Sequence, residues 1–92
     1  MNEIEQFLIS RWTHSHWKVY LCLYGAGCVL TTSEIIERLS MGKSRVYTIL
    51  RELANLDIIK TSGKIVNGKA RVGYVCNPKF NMPPFFEAYS KK

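Results

Sequence analysis

At 92 residues the chain is too short to divide between two independent cores, so it reads as one domain with a modest core, of a size that often gains stability by pairing. Hydrophobic residues make up 47% and charged residues 22% of it, a balance that excludes a disordered tail. Its net charge of +6 turns attention to acidic partners such as nucleic acid or an anionic membrane.

Residues 2–11 place Ile4, Phe7 and Leu8 at the i, i+3, i+4 spacing of an amphipathic helix. Residues 14–24 predict a second helix, apolar on most sides through Trp17, Val19, Tyr20, Leu21, Leu23 and Tyr24 and therefore expected to be buried, with Gly25 and Gly27 stopping it. Val29-Leu30-Thr31 is a short extended stretch, and Thr31-Thr32-Ser33-Glu34 has the capping-box pattern of a hydroxyl followed three residues later by glutamate. The helix it opens, over 33–39, turns Ile35, Ile36 and Leu39 inward and breaks at Ser40-Met41-Gly42.

The next helix is predicted over 43–56. At 100° per residue, Val46, Ile49, Leu50, Leu53 and Leu56 form one buried stripe. The opposite arc centres on Ser44, Thr48, Arg51 and Asn55, flanked by Lys43, Arg45 and Tyr47, and carries no large aliphatic residue. Two short helices about a tight glycine-containing turn, the second with a polar and basic outer face, make a helix-turn-helix. A strand over 58–66 then meets Asn67-Gly68, the strongest short signal for a type I′ hairpin turn, and Gly63 suggests a bulge or bend within it. The return strand alternates Ala70, Val72, Tyr74 and Cys76 with Lys69, Arg71, Gly73 and Val75. Asn77-Pro78 ends the sheet, and Pro83-Pro84 opens a last short helix toward Tyr89.

The charge is unevenly spread. Residues 1–37 carry a net −2, whereas residues 38–71 carry Arg38, Lys43, Arg45, Arg51, Lys60, Lys64, Lys69 and Arg71 against Glu52 and Asp57, a net +6. Three cysteines without a CxxC pair indicate neither a disulfide framework nor a zinc ribbon. Cys22 and Cys76 read as reduced packing residues, and Cys28 as an exposed loop thiol for which a bridge between protomers stays open. His14 and His16 have no ligand set at metal-like spacing and read as capping or packing residues. Phosphate loops, nucleophile elbows and paired carboxylates are missing, so neither enzyme activity nor a cofactor or metal is expected. The acidic start and the shortness of the apolar stretch 19–24, against the roughly 20 residues of a membrane span, predict a cytoplasmic protein without membrane contact.

The run Leu30-Thr31-Thr32-Ser33-Glu34-Ile35-Ile36-Glu37-Arg38-Leu39-Ser40-Met41-Gly42-Lys43-Ser44-Arg45-Val46-Tyr47-Thr48-Ile49-Leu50-Arg51-Glu52-Leu53, followed by Leu56-Asp57-Ile58-Ile59-Lys60, resembles the winged helix-turn-helix superfamily, most closely small archaeal, bacterial, viral or plasmid regulators of the MarR and TrmB type. The resemblance spans residues 17–76 and implies an α+β fold: helices, then a two-stranded hairpin wing, with short flanking helices, in a single domain over 1–92. It departs from the family at Gly42, where many relatives have a serine or threonine cap, and at Asp57, where glycine is usual; the flanking helices are also shorter than those of full MarR proteins.

By this resemblance the chain is a sequence-specific transcriptional regulator of double-stranded DNA. On the recognition helix Ser44, Arg45, Tyr47, Thr48 and Arg51 would contact the major groove and Lys43, near its N-terminus, a phosphate, while Lys60, Lys64, Lys69 and Arg71 of the wing would contact the backbone. No small-molecule ligand is implied. A homodimer is expected through the aromatic termini, with the helix over 2–11 and the segment 83–90 as the dimerising parts, because Phe7, Trp12, Trp17, Phe80, Phe85, Phe86 and Tyr89 are hard to bury together in so short a chain. A protein-interaction module without DNA binding is the alternative reading, and RNA binding through the same surface a third.

Overall fold

The computed structural model describes residues 3–81, and the expected C-terminal helix over 83–90, with Phe85, Phe86 and Tyr89, lies outside them. The fold is α+β, with helices α1 (Glu3–Ser10), α2 (His14–Ala26), α3 (Thr32–Leu39) and α4 (Lys43–Asn55) and strands β1 (Leu30–Thr31), β2 (Ile59–Val66) and β3 (Lys69–Cys76). The strands form one antiparallel sheet in the order β1-β3-β2. One core joins the layers: Phe7 and Leu8 of α1, Val19, Tyr20 and Leu23 of α2, Ile35 of α3, the stripe Val46, Ile49, Leu50 and Leu53 of α4, and Leu30, Ile58 and Ile59 from the sheet side.

Each helix end has a local cause. Thr13 caps α2 in a reciprocal box in which the N3 side chain is His16 rather than glutamate. The Thr13 N–H donates to His16 Nδ1 at 3.1 Å, which assigns that nitrogen as the acceptor and leaves Nε2–H to donate to Glu52 Oε1 at 3.0 Å. A buried histidine thus joins the start of α2 to the middle of α4. Gly27, left-handed at φ 62, ends α2 and donates its N–H to the Leu23 carbonyl; Gly25 does not, and the helix runs on to Ala26. Thr31 and Glu34 form the expected capping box of α3.

Asp57, in the position the family resemblance reserves for glycine, adopts φ 59. That left-handed conformation costs L-residues roughly 1–2 kcal/mol, with aspartate among the few that visit it. It reverses the chain so that Ile58 N–H reaches the Leu53 carbonyl at 3.0 Å, and Asn77 Nδ2 donates to the Asp57 carbonyl at 2.7 Å.

The structure differs from the sequence reading elsewhere too. The short extended stretch joins the two-stranded hairpin as a third strand, Leu30 and Thr31 pairing with Tyr74 and Gly73 of β3. Gly63 makes no bulge, and β2 pairs with β3 without interruption from Ile59↔Cys76 to Val66↔Lys69. The glycine the sheet does require is Gly73, where a Cβ would collide with the Val29 side chain and come within 3.2 Å of the Leu30 carbonyl oxygen. α2 is buried along one stripe only; Leu21 and Tyr24 are 53% and 68% exposed, Tyr24 lying stacked on Tyr20. Finally, the N-terminal aromatics are gathered within the chain. Phe7 is buried, and Trp12 sits edge-on to both Phe7 and Trp17, which in turn meets Tyr20. No helix among the described residues is long and apolar enough to cross a membrane.

Candidate nucleic-acid interface

α4 turns its two sides to different surroundings. Val46, Ile49, Leu50 and Leu53 are buried, whereas Lys43, Ser44, Arg45, Tyr47, Thr48 and Arg51 are all exposed. The six residues expected to form a contact surface therefore do share one open face. Gly42 caps α4 without any side-chain hydrogen bond, so the first backbone N–H groups of the helix remain available to an acceptor from outside.

Local contacts order this face. Lys43 Nζ lies 5.9 Å from the centre of the Tyr47 ring, within cation–π range. Thr48 Oγ1 donates to the Ser44 carbonyl at 2.9 Å, which uses its hydrogen and leaves its oxygen to accept. Arg45 Nε donates to Ser15 Oγ at 3.1 Å, drawing this arginine toward the start of α2. Arg51 has no hydrogen-bond or ion-pair partner among the described residues, and the same holds for Lys60, Lys69 and Arg71 on the hairpin, all of them exposed.

Clefts flank the open face of α4. One, of about 380 Å³, lies between Tyr47, the start of α3 at Thr32 and Ser33, and Arg71, Val72 and Tyr74 of β3. Another, of about 400 Å³, runs between Ser44, Arg45 and Thr48 and the Thr13–His16 cap, with Glu52 at its edge. The first cleft makes α4 and the hairpin one continuous surface. It depends on the β1–β3 pairing, which carries the start of α3 to the edge of β3. Thr32, Ser33, Val72 and Tyr74 went unrecognised in the sequence for that reason: a two-residue strand is too short to show an alternation.

Lys64 stands apart from the other basic residues expected at the interface. Its Nζ donates to the Val29 carbonyl at 2.9 Å and to both oxygens of Glu34 at 3.0 and 3.2 Å. The ammonium is engaged inside the molecule, tying β2 to the cap of α3. The Glu34 carboxyl is held at about 2, well below its ordinary value, first by the Thr31 backbone N–H and then by the Lys64 ammonium, with partial desolvation opposing both. A second ion pair, missed in the sequence, sits on the far flank: Glu52 accepts from Arg11 Nη2 at 3.3 Å as well as from His16.

Among the described residues no group of three or more His, Cys, Asp or Glu side chains is placed to hold a metal ion. Cys28 is exposed and Cys22 and Cys76 are half-buried, all three as free thiols; burial pushes the Cys22 and Cys76 thiols up from their ordinary value. The chain matches no known protein-family model, no curated protein and no solved structure.

Proposed function

We propose that the protein is a winged helix-turn-helix transcriptional regulator that binds double-stranded DNA. In this reading α3 and α4 are the helix-turn-helix with α4 as recognition helix, and the β2–β3 hairpin is the wing. The observation that carries it is the open face of α4: six polar, basic or aromatic side chains exposed together above a fully buried stripe, continuous through the Tyr47–Arg71 cleft with a hairpin that bears further free cations.

In this reading each of them has its own part. Arg51, unpartnered within the described residues, is free to make a bidentate bond to a guanine edge, worth about 1–3 kcal/mol of discrimination. Thr48, its hydrogen already donated to Ser44, offers an acceptor suited to the amino group of adenine or cytosine. Arg45 is held toward Ser15 and meets the duplex from the α2 side. Lys60, Lys69 and Arg71 take phosphates, and Lys43 does so near the uncapped start of α4. Lys64, engaged by Glu34, is left out of the phosphate contacts.

Binding isotherms on specific and scrambled duplexes at several salt concentrations test this division. Arg51→Ala should narrow the gap between specific and scrambled sites. Lys69→Ala should weaken both alike and reduce the slope of log K against log salt by about 0.9, one phosphate contact. Identical behaviour of the two variants would contradict the assignment.

A homodimer belongs to the same proposal, since paired half-sites suit a two-fold protein. With Phe7 buried and Trp12 and Trp17 packed against its neighbours, the exposed Ile9 of α1 and Leu21 and Tyr24 of α2 are apolar side chains available for it among the described residues, and sedimentation showing a monomer at micromolar concentration would count against it. The same exposed residues favour the second reading, a protein-interaction module, which predicts no duplex binding at all.

A further inference from the structure

The cleft of about 380 Å³ between the start of α3, Tyr47 of α4 and the edge of β3 is lined by polar groups that the fold itself does not use. Thr32 lines it and is only 7% exposed, yet its hydroxyl has no hydrogen-bond partner among the described residues. Hydroxyls buried to that degree are hydrogen-bonded as a rule, so Thr32 points to an acceptor supplied from outside. Ser33, Tyr47 and Tyr74 bring three more hydroxyls to the cleft and Arg71 a guanidinium, none of them hydrogen-bonded to another described residue. A water molecule satisfies one hydroxyl. Four hydroxyls and a guanidinium in one recess match a ligand with several acceptor oxygens.

The charge of that ligand follows from the lining, in which Arg71 is the only charged side chain. α3 adds its positive end. Its capping box engages the N–H groups of Thr31 and Glu34 and leaves those of Thr32 and Ser33 to a partner outside the helix. The Glu34 carboxylate of the same turn would oppose an anion, but it is turned back onto the Thr31 N–H and matched by the Lys64 ammonium at 3.0 Å. Val66 and Val72 form an apolar wall beside the polar floor. The volume lies near the lower end of the range for ligand clefts, about 300–1,000 Å³, so the cleft admits a compact molecule.

We infer that this cleft binds a small phosphate monoester, its oxygens held by Arg71, the Thr32 and Ser33 N–H groups and the surrounding hydroxyls, its organic part against Val66 and Val72. A monoester enters head-first on a single link and presents three free oxygens. A nucleic-acid backbone phosphate presents two, between two sugars, and does not reach as deep as Thr32. The site shares Tyr47 and Arg71 with the surface proposed for DNA but does not depend on that reading.

Calorimetric titration of the full chain, without DNA and in buffer free of phosphate and sulfate, tests this. The probes are glycerol 2-phosphate as the monoester, dimethyl phosphate as a diester and benzoate as an apolar carboxylate, all at equal ionic strength. Glycerol 2-phosphate should bind once per chain, and about tenfold or more tighter than either of the others. Thr32→Val, which removes the hydroxyl and keeps the shape, should weaken it about tenfold, the effect of one hydrogen bond to a charged group. Thr32→Ser, which keeps the hydroxyl, should bind as the wild type does. Arg71→Gln, altered at an exposed position, should weaken binding at least as much as Thr32→Val and serves as the test if that variant fails to fold. Failure of the wild type to bind glycerol 2-phosphate would overturn the site, as would binding that Thr32→Val and Arg71→Gln leave unchanged, which places the ligand elsewhere on the basic surface. Equal binding of dimethyl phosphate would overturn it by assigning the cleft to a backbone phosphate, and equal binding of benzoate by assigning it to carboxylates.

Discussion

α3 and α4 are neighbours of the same helical pair, yet they begin in opposite ways. α3 starts from a closed arrangement: Thr31 and Glu34 satisfy each other's backbone N–H groups, and Lys64 reaches across from β2 to neutralise the carboxylate. α4 starts at Gly42 with no side-chain cap, with Lys43 in its first turn over the Tyr47 ring, and on its outer face only Arg45 and Thr48 use side-chain hydrogen bonds to partners among the described residues. The difference teaches where the fold satisfies its own backbone donors and where it leaves them open. The end of α3 is satisfied from within and anchors the sheet, whereas the end of α4 leaves its donors and the positive end of its dipole for something outside.

The strongest way to break this contrast is through the buried stripe that both helices share. Leu50→Ala should destabilise the protein by about 2–5 kcal/mol in urea unfolding, whereas Arg51→Ala, one residue along on the open face, should stay within about 0.5 kcal/mol of wild type. A large stability loss from Arg51→Ala would mean that the open face is structural.

Next comes the anchored side. Gly73→Ala forces a methyl group against Val29 and the Leu30 carbonyl, at the strand that leads into α3, and should cost about 1–3 kcal/mol by overpacking. Thermal unfolding reads this, and an unchanged melting temperature would show that Val29 gives way freely.

The caps sharpen the comparison at smaller scale. Thr31→Ala should cost about 1 kcal/mol, and Gly42→Ser should gain only a few tenths. If α4's open end serves an anion, Gly42→Ser should also weaken duplex binding despite its added stability, because the serine hydroxyl occupies a donor that the phosphate would use.

The last prediction concerns acid. Folding lowers the Glu34 carboxyl from its ordinary 4.5 to about 2, so the unfolded chain takes up this proton first. The stability it contributes is fully present above pH 4.5 and is lost as pH falls toward 2. Urea midpoints followed down through that window should fall in wild type and fall less steeply in Glu34→Gln; parallel curves would mean that the Thr31 N–H and the Lys64 ammonium together contribute nothing.

Much of this molecule is legible in its residues because the signals are local. The stripe of α4, the Thr31–Glu34 box and the Asn67-Gly68 turn each lie within a few positions of chain, and the observed φ of 51° and 78° at Asn67 and Gly68 is what that pair favours. What was hidden depends on distant partners. Nothing near Gly63 or Gly73 says which of them the sheet requires, since the answer lies in Val29, more than thirty positions before either. Lys64 reads as one more surface cation until β2 brings it over Glu34. The N-terminal aromatics read as a surplus until α1 folds back to place Phe7 in the core. For the candidate interface the residue types on α4 could be named from periodicity, but the cleft that unites them with the hairpin is a product of β1–β3 pairing.

The central claim is that the open face of α4 and the hairpin cations meet duplex DNA, and a salt titration of binding to random-sequence duplex, with a matched single strand, tests it most directly. The account predicts tight duplex binding that falls steeply and linearly in log salt, and weaker binding to the single strand. Absence of duplex binding at low salt, or a preference for the single strand, would contradict it.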